Sequence, residues 1–415
     1  MNYGLIGERL GHSYSKVIHE GFGLYEYELK EIPKDELDSF MKAKEFKGIN
    51  VTIPYKQDVI PYLDEIDEKA KSIGAVNTVV NRDGKLFGYN TDYYGLLNLI
   101  KENAFDLSGK KVLILGTGGT SKTAFFVAKD LGAAKIKRVS RKESNEEDII
   151  TYDEAVSSYK DCDYIINTTP AGMYPNIDAK AVSLSSFDNI KGVCDVVYNP
   201  LRTRLLQEAD ELGIKNCNGL KMLVYQAAFA CEFFVGEKPE TQKVDSIFKS
   251  LYKESLNPVL IGMPGSGKST IGEMLSKKLN RELVDTDSII VECEKREISD
   301  IFATDGEKYF RNLEADIVKE VSLRKNVVIS TGGGAVLRDE SVKNLKANGM
   351  LFFLDRKPEN LIPTADRPLA DKTEKILNLY KERLPIYEKA LDYKISTDLL
   401  PEASLNEILE LLNNK

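Results

Sequence analysis

Short apolar runs alternate with helical patterns along the chain, and this alternation predicts an α/β fold. Early strand-like runs occur at Tyr3 to Ile6, Gly48 to Ile53 and Val76 to Val80. Two later runs, Lys111 to Leu115 and Pro258 to Ile261, each lead into a glycine-rich turn and then a helical pattern. A strand, a glycine turn and a helix in this order form the phosphate-binding unit of a parallel sheet. The chain therefore predicts two nucleotide-binding domains.

A charged segment at 236–257 separates the two glycine turns, which lie about 145 residues apart. Its tail, from Val244 to Leu251, carries apolar residues at helical spacing. We therefore predict a domain boundary just after this helix, at 252–257.

Composition narrows the class of protein. With 42% hydrophobic residues, the composition of the 415-residue chain excludes a disordered protein. Its 57 Lys and Arg against 65 Asp and Glu give a net charge of −8, which argues against general binding to nucleic acid or anionic membranes. The 5 cysteines are scattered without a CxxC pair, so neither a disulfide framework nor a zinc site is predicted. Only His12 and His19 are present, which excludes an HExxH metalloprotease. With no apolar run of membrane-spanning length, we expect a soluble cytoplasmic protein.

The first glycine turn, Gly116 to Ser121, departs from GxGxxG because serine occupies the third glycine position. A predicted helix, Lys122 to Leu131, follows it, and the next predicted strand is Ala134 to Val139. That strand ends in Ser140-Arg141-Lys142, where NAD-binding folds usually place an acidic residue for the ribose hydroxyls. Cations there favour NADP over NAD, although a solvated charge run remains an alternative and Glu143 keeps NAD open.

Upstream of this turn lie polar clusters with no evident packing need. They are Gly11 to Lys16, Asn50 to Lys56, Gly74 to Thr78 and Gly88 to Asp92. Their hydroxyls, amides, ammonium and carboxylate are the groups that hold a polyhydroxylated small molecule. A lysine beside an aspartate can also hold a transferable proton while a hydride moves to or from carbon.

The same clusters carry a family resemblance when they are taken in order with three later segments. The later segments are Asn167-Thr-Thr-Pro-Ala-Gly-Met173, Asp195-Val-Val-Tyr198-Asn-Pro200 and Gly219-Leu-Lys-Met-Leu-Val-Tyr-Gln226-Ala227. Together with the turn Gly116 to Thr120, they make the first 250 or so residues resemble shikimate dehydrogenase.

This resemblance implies that Lys56 and Asp92 are the catalytic pair. The resemblance also implies a set of substrate-binding residues, which includes Asp92. They are Ser13, Ser15, Thr52, Asn77, Asp92, Tyr198 and Gln226. The residues implied to line the NADP site are Gly116, Thr117, Gly118, Gly119, Thr120, Ser140, Arg141, Lys142, Val196 and Gly219. Ser140 to Lys142 and Lys221 depart from the family pattern on the cofactor side, so a quinate or shikimate oxidiser that uses NAD remains an alternative.

The second glycine turn, Gly262-Met-Pro-Gly-Ser-Gly-Lys268-Ser269, satisfies GxxxxGK[ST]. In such a loop the backbone N–H groups hold phosphates, the lysine reaches the terminal phosphates and the hydroxyl binds Mg²⁺. This part of the chain therefore predicts a nucleoside triphosphate site.

Further residues indicate a small anionic acceptor beside the triphosphate. Asp285 and Asp287 are predicted on one side of an extended segment, and Arg311 lies three residues before Glu314, on one helical face. A third feature, Gly332-Gly-Gly334, lets the backbone approach a ligand closely. Two later cations are Arg367 and Arg383.

This set resembles shikimate kinase from about residue 257 to the end. The resemblance implies that Asp287, Arg311, Gly333 and Arg383 hold shikimate, with Asp287 and Lys268 catalytic, and that Ser269 and Asp285 form the Mg²⁺ side. The residues implied to bind ATP are Gly265, Ser266, Gly267, Lys268, Ser269, Thr270 and, from the lid, Arg367. An alternative is a regulatory module that binds ATP without transferring phosphate.

The two resemblances imply one bifunctional enzyme that converts 3-dehydroshikimate to shikimate with NADPH and then shikimate to shikimate 3-phosphate with ATP and Mg²⁺. The expected fold is α/β throughout: an N-terminal α/β substrate domain plus a Rossmann-type NADP domain, followed by a P-loop kinase domain with a parallel sheet. The expected bounds are 1–252 for the first half, with 1–100 and 227–252 as substrate domain and 101–226 as NADP domain, and 257–415 for the second. The partners expected are these small molecules, and the oligomeric state is left open.

Overall fold

The computed structural model of the chain describes residues 1–11, 13–361 and 373–413, and Arg367, which the resemblance implies to bind ATP, lies outside them. The chain divides into two compact units. The first comprises Met1–Gly172, Ala179–Tyr198 and Glu208–Ser250, and the second comprises Met173–Asp178, Asn199–Gln207 and Leu251–Lys415. The second unit therefore includes two short segments from the first half of the sequence.

The first unit begins with a mixed six-stranded sheet in the order β2-β1-β3-β5-β6-β4. Its strands are β1 (Tyr3–Gly7), β2 (Glu28–Glu31), β3 (Gly48–Val51), β4 (Glu65–Ile66), β5 (Thr78–Arg82) and β6 (Lys85–Tyr89). The helices of this part are α1 (Ser15–Gly21), α2 (Leu37–Ala43), α3 (Glu68–Ile73) and α4 (Thr91–Glu102). β3 pairs with β1 in parallel and with β5 antiparallel. Apolar side chains of all three strands pack into one core.

A second six-stranded sheet in the first unit is parallel throughout, in the order β12-β11-β10-β7-β8-β9. Its strands are β7 (Lys111–Leu115), β8 (Lys135–Ser140), β9 (Ile149–Thr151), β10 (Tyr164–Asn167), β11 (Gly192–Asp195) and β12 (Lys215–Cys217). The helices are α5 (Gly119–Asp130), α6 (Tyr152–Ser158) and α8 (Leu220–Val235), and α7 (Arg204–Glu211) crosses the division between the units after Gln207. The strand order reverses at β7, and in such sheets the ligand crevice lies at the carboxyl end of that strand.

Helix α8 returns from the second sheet and packs closely on α4. A side chain at Gly95 of α4 would meet the carbonyl oxygen of Met222 at 2.7 Å and Gln226 Cβ at 3.1 Å. Glycine weakens a helix interior, so its presence here is explained by the close approach of the two backbones. This packing brings the first turn of α4, which carries Asp92, close to Gln226.

The second unit contains a parallel five-stranded sheet in the order β14-β15-β13-β16-β17. The strands are β13 (Asn257–Ile261), β14 (Glu282–Asp285), β15 (Val327–Ser330), β16 (Gly349–Asp355) and β17 (Tyr393–Ser396). The helices are α10 (Lys268–Leu279), α11 (Thr286–Glu294), α12 (Ile298–Thr304), α13 (Gly306–Ser322), α14 (Asp339–Asn348), α15 (Thr373–Ala390) and α16 (Pro401–Asn413). Helix α9 (Thr241–Ser255) precedes β13 and crosses the division between the units.

The predicted strands are present, with ends shifted by a few residues, and both glycine turns lie between a strand and a helix. One local expectation is wrong. Asp285 and Asp287 do not share an extended segment, because Asp285 Oδ1 accepts a hydrogen bond from Ser288 N at 3.0 Å and so caps α11. Asp287 therefore lies in the first turn of a helix.

The five cysteines are all free. Within the described ranges, no helix combines the length and the apolar character that crossing a membrane requires.

Candidate active sites

The first candidate site centres on Lys56 and Asp92. Lys56 lies after β3, Asp92 lies in the first turn of α4, and the Nζ to Oδ2 distance is 2.6 Å. Their side chains are 26% and 16% exposed, so the pair is sheltered but still reached by solvent. An ammonium and a carboxylate in contact can share and pass on a proton.

A network of buried polar groups lies next to this pair. Asn77 Oδ1 accepts hydrogen bonds from Thr91 N at 2.7 Å and from Thr91 Oγ1 at 3.2 Å. The same hydroxyl lies 3.3 Å from Gln226 Oε1. Thr91 precedes Asp92, and Val76, which precedes Asn77, donates its N–H to Lys56 O at 2.8 Å. The structure therefore brings Lys56, Asn77, Asp92 and Gln226 close together, and their catalytic and substrate-binding roles stay predictions.

Three further predicted substrate residues, Ser13, Ser15 and Tyr198, lie next to Tyr14, whose ring contacts that of Tyr198. Ser13 Oγ donates to Ser15 Oγ at 3.0 Å, and the Tyr14 ring between them lies 6.0 Å from the ring of Tyr198. Burial, with a smaller contribution from Tyr14, raises the pKa of Tyr198, so its hydroxyl stays neutral and can donate. Thr52 directly follows β3, and its N–H donates to Ile6 O at 2.9 Å.

The first glycine turn follows β7 at the reversal of strand order. Gly116 has φ 107°, which favours glycine, and a side chain there would meet Thr168 Oγ1 at 3.0 Å. Ser121, in the third glycine position, is buried, and its hydroxyl donates to Gly118 O at 2.7 Å. Serine therefore fits this position. The turn 116–120 can present the N–H groups at the start of α5 to a phosphate.

Two further features belong to the predicted NADP site: cations near the end of β8 and a close approach of the backbone at Gly219 to that at Val196. Arg138 is buried and pairs with Asp148 and Glu146, each at 2.6 Å, whereas Arg141 and Lys142 after β8 are exposed. Exposed cations at this position can meet an added phosphate on the ribose. Elsewhere in this site, a side chain at Gly219 would overlap the carbonyl oxygen of Val196.

The second candidate site begins at the loop between β13 and α10. Gly265 and Gly267 have φ values of 80° and 96°, a backbone that glycine adopts readily. Lys268 Nζ donates to the carbonyl oxygens of Gly262 at 2.9 Å and Met263 at 3.0 Å. The loop is also fixed from the side, because Thr397 Oγ1 donates to Ser266 O at 2.9 Å. Ser269 and Thr270 follow in the exposed first turn of α10.

Gly332 to Gly334 lie among charged side chains. A side chain at Gly332 would overlap Asp287 and meet Glu314 Oε1 at 2.8 Å, and one at Gly334 would overlap the guanidinium of Arg311. Arg311 Nη1 pairs with Glu314 Oε2 at 2.7 Å. Burial raises the pKa of Glu314, and the attraction of Arg311 offsets only part of that rise. Glycine is therefore required at Gly332 and Gly334 by the space that these charged side chains occupy, and at Gly333 a side chain would meet Pro264 Cδ at 2.9 Å.

Helix α15 contacts Gly333, the middle glycine of this loop. Arg383 Nη1 and Tyr387 Oη both donate to Gly333 O, at 3.0 Å and 2.5 Å. Arg383 is 4% exposed, and the Tyr387 ring stacks on Phe353 with centroids 4.8 Å apart. The structure thus places Asp287, Arg311, Gly333 and Arg383 around one loop, and their implied role in holding shikimate stays a prediction. Two arginines and backbone groups in one buried place can bind a carboxylate.

Residues suited to a metal lie at the carboxyl end of β14. Asp285 Oδ2 accepts from Ser330 Oγ at 2.8 Å, and the hydroxyl of Ser269 is the other predicted ligand. These are the hard oxygen donors that Mg²⁺ prefers, with the phosphates and water supplying the rest. Among the residues that the structure describes, no group of three or more His, Cys, Asp or Glu could hold a metal by itself.

Sequence reasoning missed some residues of both sites. Thr91 connects Asn77 with Gln226, and Thr397 holds the second glycine loop. Tyr387 contacts Gly333 across 54 positions of sequence. Thr91 lies within the polar cluster Gly88 to Asp92, so the sequence contained a signal for it. No sequence signal marked Thr397, because its contact with Ser266 depends on the order of the strands.

The first unit thus has the fold and site of a nicotinamide-dinucleotide oxidoreductase, and the second those of a P-loop kinase. The family model for the shikimate dehydrogenase substrate binding domain matches residues 5–79, and the one for shikimate kinase matches residues 264–413. Shikimate dehydrogenase (NADP(+)) of Clostridium beijerinckii is 41% identical over 273 residues, which span 60% of this chain and 99% of that protein. The chain belongs to the shikimate dehydrogenase family, and its second half carries a shikimate kinase domain.

Solved structures agree with this assignment. A chorismate mutase/shikimate 5-dehydrogenase fusion protein from Clostridium acetobutylicum is 37% identical, with a TM-score of 0.57 over 60% of this chain and 96% of that one. Shikimate 5-dehydrogenase from Thermus thermophilus, in complex with NADP(H) and shikimate, is 28% identical, with a TM-score of 0.54 over 60% and 99%. Both resemblances and the α/β fold class are confirmed.

Proposed function

We propose that the chain is a bifunctional enzyme, with dehydrogenase activity in residues 1–252 and kinase activity in residues 257–415. The first site reduces 3-dehydroshikimate to shikimate with NADPH. The second transfers the terminal phosphoryl group of ATP to shikimate and releases shikimate 3-phosphate and ADP. The observation that supports this most directly is that each half holds a complete set of charged groups, Lys56 with Asp92 and Asp287 with Arg311 and Arg383.

In the first site, NADPH supplies the hydride for the carbonyl carbon of the substrate. The pair Lys56 and Asp92 delivers a proton to the carbonyl oxygen, which becomes the new hydroxyl, and recovers a proton from solvent. The substrate hydroxyls and carboxylate are held by Ser13, Ser15, Thr52, Asn77, Tyr198 and Gln226. Arg141 and Lys142 bind the ribose phosphate of NADPH, which explains why two exposed cations follow β8.

In the second site, Asp287 orients the attacking hydroxyl of shikimate toward the phosphoryl group. Arg311, Arg383 and the N–H groups near Gly333 hold the shikimate carboxylate. Lys268 exchanges its bonds to loop carbonyls for bonds to phosphate, and Ser269 with Asp285 holds Mg²⁺, which neutralises phosphate charge. Arg367 is proposed to contact ATP from the lid.

A single reaction mixture tests the proposal. The purified chain receives 3-dehydroshikimate, NADPH and MgATP, and products are followed by mass spectrometry, with one control lacking NADPH and another supplied with shikimate directly. We expect shikimate 3-phosphate in the full mixture and in the shikimate control, and none when both NADPH and shikimate are absent. Shikimate that accumulates without its phosphate would overturn the kinase half of the proposal.

A further inference from the structure

Helix α14 ends without a cap of its own. Its last residue is Asn348, and Gly349 after it is extended, with φ −98° and ψ 146°. It therefore lacks the left-handed cap that commonly satisfies the last carbonyl oxygens of a helix. Those oxygens need donors from elsewhere in the second unit.

The donors come from Asn199–Gln207, a segment of the second unit that lies outside the kinase match at 264–413. Arg202 donates its backbone N–H to Ala347 O and its Nε to Lys346 O, both at 2.9 Å. Its Nη2 also donates to Gly349 O. The same segment reaches one turn further back, because Gln207 Nε2 donates to Lys343 O at 3.0 Å.

Arg202 is held in place by an ion pair. Its Nη1 and Nη2 meet the two carboxylate oxygens of Asp392 at 2.9 Å and 3.1 Å, with side chains 26% and 20% exposed. Asp392 also accepts from Leu351 N of β16 at 2.8 Å. A two-pronged arginine pair in a partly buried place is stronger than an ordinary surface ion pair. One guanidinium therefore links the end of α14, the start of β16 and the residue before β17.

Arg204 repeats this pattern on the side of α14. It is 9% exposed, donates to Asn344 Oδ1 at 2.5 Å and pairs with Glu340 and, at 2.9 Å, with Asp178. Leu201 N donates to Asn348 Oδ1 at 2.9 Å. The segment thus contacts α14 along three turns, through backbone and side chains.

We propose that Asn199–Gln207 is a structural part of the kinase domain and serves as the C-terminal cap of α14. Helix α14 connects the loop at Gly332 to Gly334, in the acceptor site, to β16 beside the strand of the phosphate loop. Its placement therefore affects both substrates. The kinase domain is complete only when the dehydrogenase half of the chain supplies this segment. The fusion therefore contributes to the structure of the kinase domain as well as linking the two halves.

Hydrogen–deuterium exchange on the full chain tests this directly and does not depend on either proposed activity. In Arg202→Ala, amide exchange at the end of α14 and the start of β16 should be at least tenfold faster, while β7 in the first unit exchanges as before. The matched control is Lys389→Ala, which removes a cation from an exposed pair with Asp339 (79% and 81% exposed) at the other end of α14.

Arg202→Lys keeps the charge but loses the forked geometry, so its exchange should lie between the wild-type chain and Arg202→Ala. Exchange at α14 that is unchanged in Arg202→Ala would overturn the proposal. So would equal acceleration in both units, because that indicates general destabilisation rather than the loss of a cap.

Discussion

The two active sites hold their charges in different ways. In the first, Lys56 and Asp92 pair with each other and remain 26% and 16% exposed. In the second, Arg311 pairs with Glu314 at 11% and 4% exposure, and Arg383 bonds to a backbone oxygen while 4% exposed. A proton donor must recover its proton from water after each turnover, whereas a cation that only holds an anion works best when fixed and sheltered. The difference in burial therefore fits the different chemistry proposed for the two sites.

The two glycine loops also differ in where the cations near them lie. The first loop follows β7 and lacks a lysine of its own, and the cations proposed for its ligand are Arg141 and Lys142, which follow the neighbouring strand β8. The second loop carries Lys268 within it, bonded to loop carbonyls. A dinucleotide has its pyrophosphate in the middle and a separate ribose phosphate, whereas the triphosphate of ATP concentrates its charge at one end. Charge placement in each loop matches the ligand proposed for it.

The largest effect is expected from Lys56→Ala. Without the ammonium no proton reaches the substrate oxygen, so NADPH-dependent reduction should fall by about 10² to 10⁴-fold while added shikimate is still phosphorylated. Both rates are measured on the same preparation. Lys42→Ala, which removes a lysine from an exposed pair with Asp38, is the matched control and should change neither. A loss of both activities in Lys56→Ala would contradict the independence of the two sites.

Next in size is Asp287→Asn. The substitution keeps the shape but removes the negative charge that orients the hydroxyl, so phosphorylation should fall by roughly 100-fold or more, with ATP binding retained. Turnover and nucleotide titration are compared with those of Asp316→Asn, an exposed change on α13. Undiminished phosphorylation would exclude the role given to Asp287.

A smaller effect concerns the choice of cofactor. Removing both cations in Arg141→Ala with Lys142→Ala should raise the KM for NADPH about tenfold or more and leave that for NADH unchanged. The ratio of the two kcat/KM values is the measurement. If the wild-type chain already uses NADH as efficiently as NADPH, the role of Arg141 is wrong and the NAD alternative gains support.

Tyr387→Phe tests the support of the acceptor loop. Burial raises the pKa of Tyr387 to about 12, so the hydroxyl is a neutral donor to Gly333 O, and its removal costs about 1 kcal/mol. The KM for shikimate should rise about fivefold, and the KM for ATP should stay the same. A change in kcat alone would show that Gly333 is not positioned by this bond.

The smallest effect is a pH dependence in the second unit. Burial raises the pKa of Asp392, but the attraction and hydrogen bonds of Arg202 and the N–H of Leu351 outweigh it, so the pKa lies below its usual value. Lys346 adds to this effect. The stabilisation is therefore fully present above the ordinary carboxyl pKa and is lost as the pH falls through the folded value. Urea unfolding between neutral and acid pH should show a shallower decline in Asp392→Asn.

Much of each site could be predicted from sequence because its residues lie in short motifs. Lys56, Asn77 and Asp92 each come from a compact polar cluster, and Lys268 from a phosphate loop that local spacing defines. The extended placement of Asp285 and Asp287 was wrong because a capping hydrogen bond, which depends on side-chain geometry, starts a helix between them.

By itself, the sequence determined the α/β alternation, the two glycine loops and the charged groups of both sites, since these depend on local spacing and residue type. Only the tertiary structure decided which groups meet: Asp92 with a lysine 36 positions away, Tyr387 with Gly333 across 54, and Arg202 with Asp392 across 190. Such contacts depend on the order of strands and on helices that return to distant parts of the chain. Local patterns do not contain that information, because many strand orders are compatible with the same alternation of strands and helices.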